Sequence, residues 1–245
     1  MPQSLHIETG LIDIPEPEID HLITEDDTPV DNFPSAKNQR LLVDPLYSSG
    51  QIQRTFLADA NVGIFITPKR PAIVPDVFVS FDVELAEEWW AKKHRSYFIW
   101  EFGKPPDVVI EIVSNNVGQE TGKKLHDYAR MHVDYYVVFD PKQIVQEKPL
   151  QVYELYAGEY LPRPDYRLPR VGLSLTLWEG EFEGKRDLWL RWCDADGNLL
   201  LTGKERAEQE HQRAEQEHQR AEQERQRAEQ LAARLRELGI DPDSL

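Results

Sequence analysis

Pro106-Asp107-Val108-Val109-Ile110-Glu111-Ile112-Val113-Ser114 is an almost unbroken apolar run with a carboxylate in its middle. A run of this length, rich in Val and Ile, is the pattern of a strand covered on both faces. A charge buried in such a strand must find a partner or be neutralised. Glu111 therefore marks a place where a second group justifies it. On a strand, Asp107, Val109, Glu111 and Val113 share one face, which makes that face acidic at its start and its centre.

Working outward, Ile73 to Val83 (IVPDVFVSFDV) alternates, with Val77, Val79, Phe81 and Val83 on one face and Asp76, Phe78, Ser80 and Asp82 on the other. Glu84 to Trp100 reads as a helical or loop insertion. Thr121 to Met131 has the spacing of an amphipathic helix, and Asp134 to Pro141 (DYYVVFDP) is a second two-sided strand ended by proline. QVYELY with the turn Ala157-Gly158, then VGLSLTLW, LWLRWC, DADGN and LLLTG, read as hairpin segments. Gln39 to Leu57 has helical character that Pro45 should interrupt. Strands, one crossing helix and more strands predict an α/β (α+β) body with a central mixed sheet flanked by helices.

The ends of the chain differ from this body. Residues 1–36 hold nine acids (Glu8, Asp13, Glu16, Glu18, Asp20, Glu25, Asp26, Asp27, Asp31) and no Lys or Arg, with Pro15, Pro17 and Pro29 interspersed, so they read as an acidic, extended or disordered arm. From Arg206 the text repeats every seven residues (RAEQEHQ, RAEQEHQ, RAEQERQ, RAEQLAA), which predicts one long helix to about Leu238, stopped by Gly239. Its seam is Ala207, Ala214, Ala221 and Ala228, with larger residues only at the end. A homodimer, a partner protein or a solvated single helix all remain open for residues 204–245. Residues 37–203 form the expected globular domain.

One cysteine, Cys193, excludes an internal disulfide and a Cys-based zinc cluster. No apolar run approaches a membrane span and the N-terminus lacks a leader pattern, so the expectation is a cytoplasmic protein with no membrane association. The formal charge of -16 argues at first against a nucleic-acid partner. The arm carries -9 of it and the stretch from Leu201 carries -3 (8 Lys and Arg against 11 Asp and Glu), which leaves -4 for the body. Global acidity thus does not exclude DNA. If the arm competes with DNA, deleting residues 1–36 should raise DNA affinity at low salt.

Asp76 and Glu111 on neighbouring strands, facing a helix that carries Lys123 and Lys124, are the components needed for a hard divalent cation and a phosphodiester. Oxygen ligands suit Mg²⁺, and a lysine can orient water or stabilise developing charge. Taken singly, Asp76 caps a turn, Glu111 pairs with a buried cation, and Lys124 is a surface residue paired with Glu120 at i,i+4. Taken together and in this order, they favour a nuclease-type site.

VPDVFVSFDV, PDVVIEIVSNN and ETGKKLHDYARMHVDYYVVFDP resemble the Uma2 family of putative restriction endonucleases, a branch of the PD-(D/E)xK nuclease superfamily. The resemblance is strong over about residues 70–141 and weak at the flanks. It implies a restriction-endonuclease-like fold, Mg²⁺ or Mn²⁺ as cofactor and DNA as substrate. It implies Asp76 and Glu111 as metal ligands, assisted by the Ile112 carbonyl, and Lys124 as the catalytic lysine. Val113 occupies the place where the motif lysine usually stands, and Lys124 matches a position to which it has moved. Glu120 replaces an aspartate common in relatives. For the N-terminal helix acid or glutamine that often assists the metal, Gln51 and Gln53 are the candidates.

Lys92, Lys93, His94 and Arg95 form the one basic cluster of the body. They lie beside Trp89, Trp90, Tyr97, Phe98 and Trp100, which makes Lys92, Lys93 and Arg95 candidates for nucleic-acid contact; the aromatics read as core or lid packing, with base stacking as the alternative. The rival to an enzyme is a non-catalytic interaction protein that uses the C-terminal helix; another is a DNA-binding module without cleavage.

Overall fold

In a computed structural model, residues 32–114 and 122–237 are described. Most of the predicted arm, Glu120 and the predicted stop at Gly239 lie outside the described residues. The first helix, α1, spans Phe33–Ser48, so residues 33–36 belong to the body. The Asn32 side chain accepts from the Ser35 amide at 3.0 Å, and Pro34 sits in the first turn, where a missing N–H costs nothing. Pro45 lies inside α1 instead of breaking it. It withdraws the N–H that the Leu41 carbonyl would have received, but only one turn from the helix end, and the next carbonyl, that of Leu42, accepts the Trp192 indole N–H at 2.8 Å.

A six-stranded mixed sheet follows, in the order β1 (Phe56–Ala60), β3 (Val77–Phe81), β5 (Val108–Ile112), β6 (Tyr135–Phe139), β7 (Leu150–Tyr156), β8 (Glu159–Pro162). Among the described strands of this sheet only β5 and β6 run parallel to each other, and α3 (Lys123–Met131) lies between them in sequence. The short strands β2 (Ile64–Phe65) and β4 (Tyr97–Phe98) pair in parallel, and a four-residue helix, α2 (Ile99–Phe102), follows β4. Next come β9 (Arg167–Leu168), β10 (Leu173–Phe182) and β11 (Lys185–Asp194), which make a separate three-stranded antiparallel sheet. Helix α4 runs Gly203–Glu237. Among the described residues no helix is long and apolar enough to cross a membrane.

The two faces of the central sheet carry two cores. Val77, Val79, Phe81, Val108, Ile110, Val137 and Phe139 pack against Leu42 and Leu46 of α1 and against Leu190 and Trp192 of β11. The other face buries Phe78, Val109, Val113, Tyr136 and Val138 with Tyr128, Ala129 and Met131 of α3. The alternation read from the sequence holds to Phe81 and then fails. Asp82 takes a left-handed φ of 58°, the chain leaves the strand, and Val83 is delivered to the second core instead of the first. The insertion after it contains one 3-10 turn, Lys92–His94. The hairpin β7–β8 turns on Ala157 and Gly158, both at positive φ, and β10–β11 turns on Glu183 and Gly184 in the same way, as the right-handed twist of paired strands favours.

Candidate active site

Strands β3 and β5 are antiparallel with Val77 opposite Ile110, so the register carried one residue further sets Asp76 opposite Glu111. Residues opposite each other in an antiparallel pair share a face. A side-chain bond fixes this juxtaposition: the Ile112 amide donates to Asp76 Oδ2 at 2.6 Å. Asp76 lies just outside β3 and is half-buried, whereas Glu111, in the middle of β5, is 1% exposed.

Helix α3 supplies the partners of Glu111. Lys124 Nζ donates to Oε2 at 2.6 Å and the Tyr128 hydroxyl donates to Oε1 at 2.7 Å. Lys124 and Tyr128 are four residues apart and so stand one above the other on one helix face. A lysine in the first turn of a helix faces the positive end of the helix dipole, which is unfavourable by itself. The Glu111 carboxylate opposite compensates for it. Lys123, the neighbour of Lys124 in the chain, is exposed.

Burial pushes the Glu111 carboxyl up to about 8; the Lys124 ammonium and the Tyr128 hydroxyl pull it down, and the nearby Asp76 charge pushes it up again. Burial and the Glu111 charge raise the Tyr128 phenol well above its ordinary value, so it stays a donor. Two acids close enough to perturb each other, with one forced toward its neutral form, make a place where a cation would relieve repulsion. Among the described residues no group of three or more His, Cys, Asp or Glu side chains converges. A pair of carboxylates still fits a small hard cation, which keeps several of its own waters.

The glutamine of the site is neither Gln51 nor Gln53. Gln53 donates to the Gly50 carbonyl at 3.0 Å, and the Gln51 amide bonds to Ser49 Oγ, away from the acids. Gln39 of α1 takes the place: its Nε2 reaches Asp76 Oδ1 at 3.3 Å and Asn61 Oδ1 at 3.3 Å, and Asn61 Nδ2 returns a bond to Gln39 Oε1 at 3.2 Å. The signal was present in the sequence. Ser35, Asn38, Gln39, Leu42 and Leu46 fall on one helical stripe, and all five are buried. A glutamine on an otherwise core-facing stripe needs a buried polar partner.

Asp107 shares the face of Glu111 but serves another end of the strand. It accepts from the Phe81 amide at 2.7 Å and from Lys104 Nζ at 2.6 Å, which is a structural clasp between β3 and β5. Lys92, Lys93 and Arg95 lie in the insertion after β3, and Arg95 lines an aromatic pocket there. The aromatic cluster divides: Tyr97 and Phe98 are core, while Trp89 and Trp90 are exposed.

No curated protein matches the chain. Among solved structures it is similar to a putative nuclease belonging to DUF820 from Anabaena variabilis, with 19% identity over 58% of this chain and 76% of that one and a TM-score of 0.41. The Uma2 family, described as putative restriction endonucleases, matches residues 25–180, a span that holds Gln39, Asp76, Glu111, Lys124 and Tyr128. The chain belongs to the Uma2 family.

Proposed function

We propose that the protein is a metal-dependent endonuclease that hydrolyses phosphodiester bonds in DNA, with Asp76 and Glu111 as ligands of Mg²⁺ or Mn²⁺ and Lys124 as the residue that positions the attacking water. The observation that carries this reading is the convergence of an acid pair and a lysine in a nuclease-family chain, with Lys124 2.6 Å from a Glu111 that is otherwise sealed from water. A metal held there would polarise a phosphoryl oxygen and acidify its own water.

The chain's own groups have defined tasks. Glu111 is held from both oxygens, by Lys124 and Tyr128, so its orientation is set before substrate arrives. Gln39 and the Ile112 amide do the same for Asp76. The Ile112 carbonyl can add a neutral oxygen ligand. Lys124, with 31% of its side chain exposed, spans from the buried carboxylate to solvent, so its ammonium can hold a water or the charge that develops on the phosphate.

Plasmid and branched DNA incubated with Mg²⁺ or Mn²⁺ test the reading. Cleavage by the wild type that Glu111→Ala abolishes is the expected result. Absence of metal binding and of cleavage in the wild type, or equal cleavage by the variant, would refute it.

One observation favours a second reading. Helix α4 is exposed nearly throughout from Arg206 onward and is laced with i,i+4 pairs such as Arg206 to Glu210 and Arg213 to Glu217. A body used as a scaffold, with α4 recruiting a partner protein or a second copy, would show by calorimetry no Mg²⁺ or Mn²⁺ site that depends on both Asp76 and Glu111.

A further inference from the structure

The insertion after β3 builds a pocket of about 310 Å³ on the same sheet face as the acid pair. Its floor is Phe78 and Tyr97, edge to face at 5.3 Å, with Tyr97 stacked on Phe102 at 4.3 Å. Phe78 follows Asp76 by two residues on one strand face, which places the floor roughly 7 Å from the acid along β3. That interval is about one nucleotide step. The outer wall is Trp89 and Trp90, 53% and 70% exposed, with ring centroids 5.2 Å apart.

This wall is held in shape. Arg95 Nε donates to the Trp90 carbonyl at 2.8 Å while its guanidinium lies 5.9 Å from the Trp90 ring centre, and His94 Nδ1 bonds with the Glu88 carbonyl at 2.9 Å. Asp59, exposed and opposite Phe78 in the β1–β3 register, lines another side beside Leu57, Val62 and Leu85; its Oδ1 accepts from the Ala60 amide at 2.9 Å, and the carboxylate can also accept from an amino group. Packing does not account for two adjacent tryptophans left in water at the rim of an aromatic cavity.

We propose that this pocket receives an unpaired nucleobase of the strand being cut, so that the preferred substrate is single-stranded or locally opened DNA. The proposal rests on the nuclease reading for its placement beside the scissile phosphate. The base stacks against Trp89 and Trp90 over the Phe78 and Tyr97 floor, and Asp59 favours a base that presents an amino group, such as cytosine. A base inside an intact duplex is stacked on its neighbours and cannot enter.

The test is binding in metal-free buffer, where nothing is cut. Fluorescence anisotropy of a labelled oligodeoxycytidine strand, free and annealed to its complement, is measured for the full chain and for the Trp89→Ala, Trp90→Ala double variant. Stacking of about 1–3 kcal/mol per base predicts a loss of roughly 5- to 150-fold for the single strand, with the duplex changed less than about twofold. The Trp89→Phe, Trp90→Phe variant, which keeps stacking surfaces, should stay within about threefold of the wild type for the single strand. Thermal melting checks that both variants fold. An equal loss for both DNAs, no loss, or a wild type that does not prefer the single strand overturns the proposal. Cleavage is scored separately. A wild type that cuts nothing beside a selective loss of single-strand binding removes the nuclease reading and keeps the pocket; the reverse pattern keeps the nuclease and removes the pocket.

Discussion

The amide of Ile112 donates to Asp76 Oδ2 at 2.6 Å, and Ile112 is the residue directly after Glu111. One short bond therefore does two things. It closes the β3–β5 ladder beyond the last regular pair, and it fixes the distance between the two carboxylates that give the face its chemistry. A charge-assisted bond to a backbone N–H is among the stronger kinds, so the relative placement of the acids depends on the backbone more than on flexible side chains.

The pH dependence of Glu111 can be read in stability without any DNA. Its folded value of about 8 lies above the ordinary 4.5, so the folded state favours the neutral acid. That contribution is fully present below pH 4.5 and is lost as the pH rises through 8. Glu111→Gln is neutral throughout. In metal-free buffer the variant should melt higher than the wild type at pH 8, by up to about 4 kcal/mol, since the folded value already includes the attraction of Lys124, and the gap should close toward pH 4. Melting curves across that range measure it, and a gap that widens toward acid would contradict the assignment.

Tyr128→Phe removes only the hydroxyl that reaches Glu111 Oε1 at 2.7 Å and leaves the ring in the second core. A hydrogen bond to a charged, buried group is worth about 1.5–3 kcal/mol. The expected result is a folded protein whose Glu111 titrates at still higher pH, with metal affinity at neutral pH reduced about tenfold or more. Calorimetric titration with Mn²⁺ at two pH values would detect it, since the loss should shrink as the pH rises.

Gln39→Glu adds a third carboxylate beside Asp76 and Asn61. In the absence of metal the new repulsion should lower the melting temperature. Added Mn²⁺ should then raise it by more than in the wild type, because a ligand that binds the folded state more tightly stabilises it more, by RT ln(1 + c/Kd) at free concentration c. Equal metal-induced shifts in the two proteins would show that Gln39 does not face the proposed cation site.

The start of α4 is held by Arg191, 1% exposed on β11, through Glu205 at 2.7 Å and the Leu200 carbonyl at 3.0 Å. Glu205→Ala strands a buried guanidinium and should cost about 3 kcal/mol, whereas Arg191→Met with Glu205→Ala should recover most of the loss. Denaturant titration of the single and double variants decides this. A double variant as unstable as the single one would assign the loss to the Glu205 cap at Thr202 instead.

How much of this was legible depended on the range of the interactions. The β3, β5 and β6 strands, α3 and the long C-terminal helix follow from local patterns, since an apolar run or a 3.6-residue period needs no knowledge of what lies across from it. Glu111 announced itself for the same reason, as a charge in a run that should be dry. Gln39 did not, although the stripe that contains it is local, because its meaning lies in a contact with Asp76 37 residues away. The end of the β3 alternation at Asp82 was likewise hidden, since a left-handed aspartate is a backbone choice that side-chain periodicity does not record.

The sequence by itself determined that a buried acid, a strand-leading aspartate and a helix lysine exist in this order, and that the chain's negative charge lies mainly outside the body. Only the tertiary structure decided that Lys124 turns to Glu111, that Tyr128 shares the task, and that Gln39 rather than Gln51 or Gln53 stands beside Asp76. It also decided that two tryptophans rim a pocket whose floor, Phe78, lies two residues along the chain from Asp76. The physical reason is the same in each case. Burial and charge are costs that a sequence displays, whereas the partner that relieves them is chosen by register and packing between segments far apart in the chain.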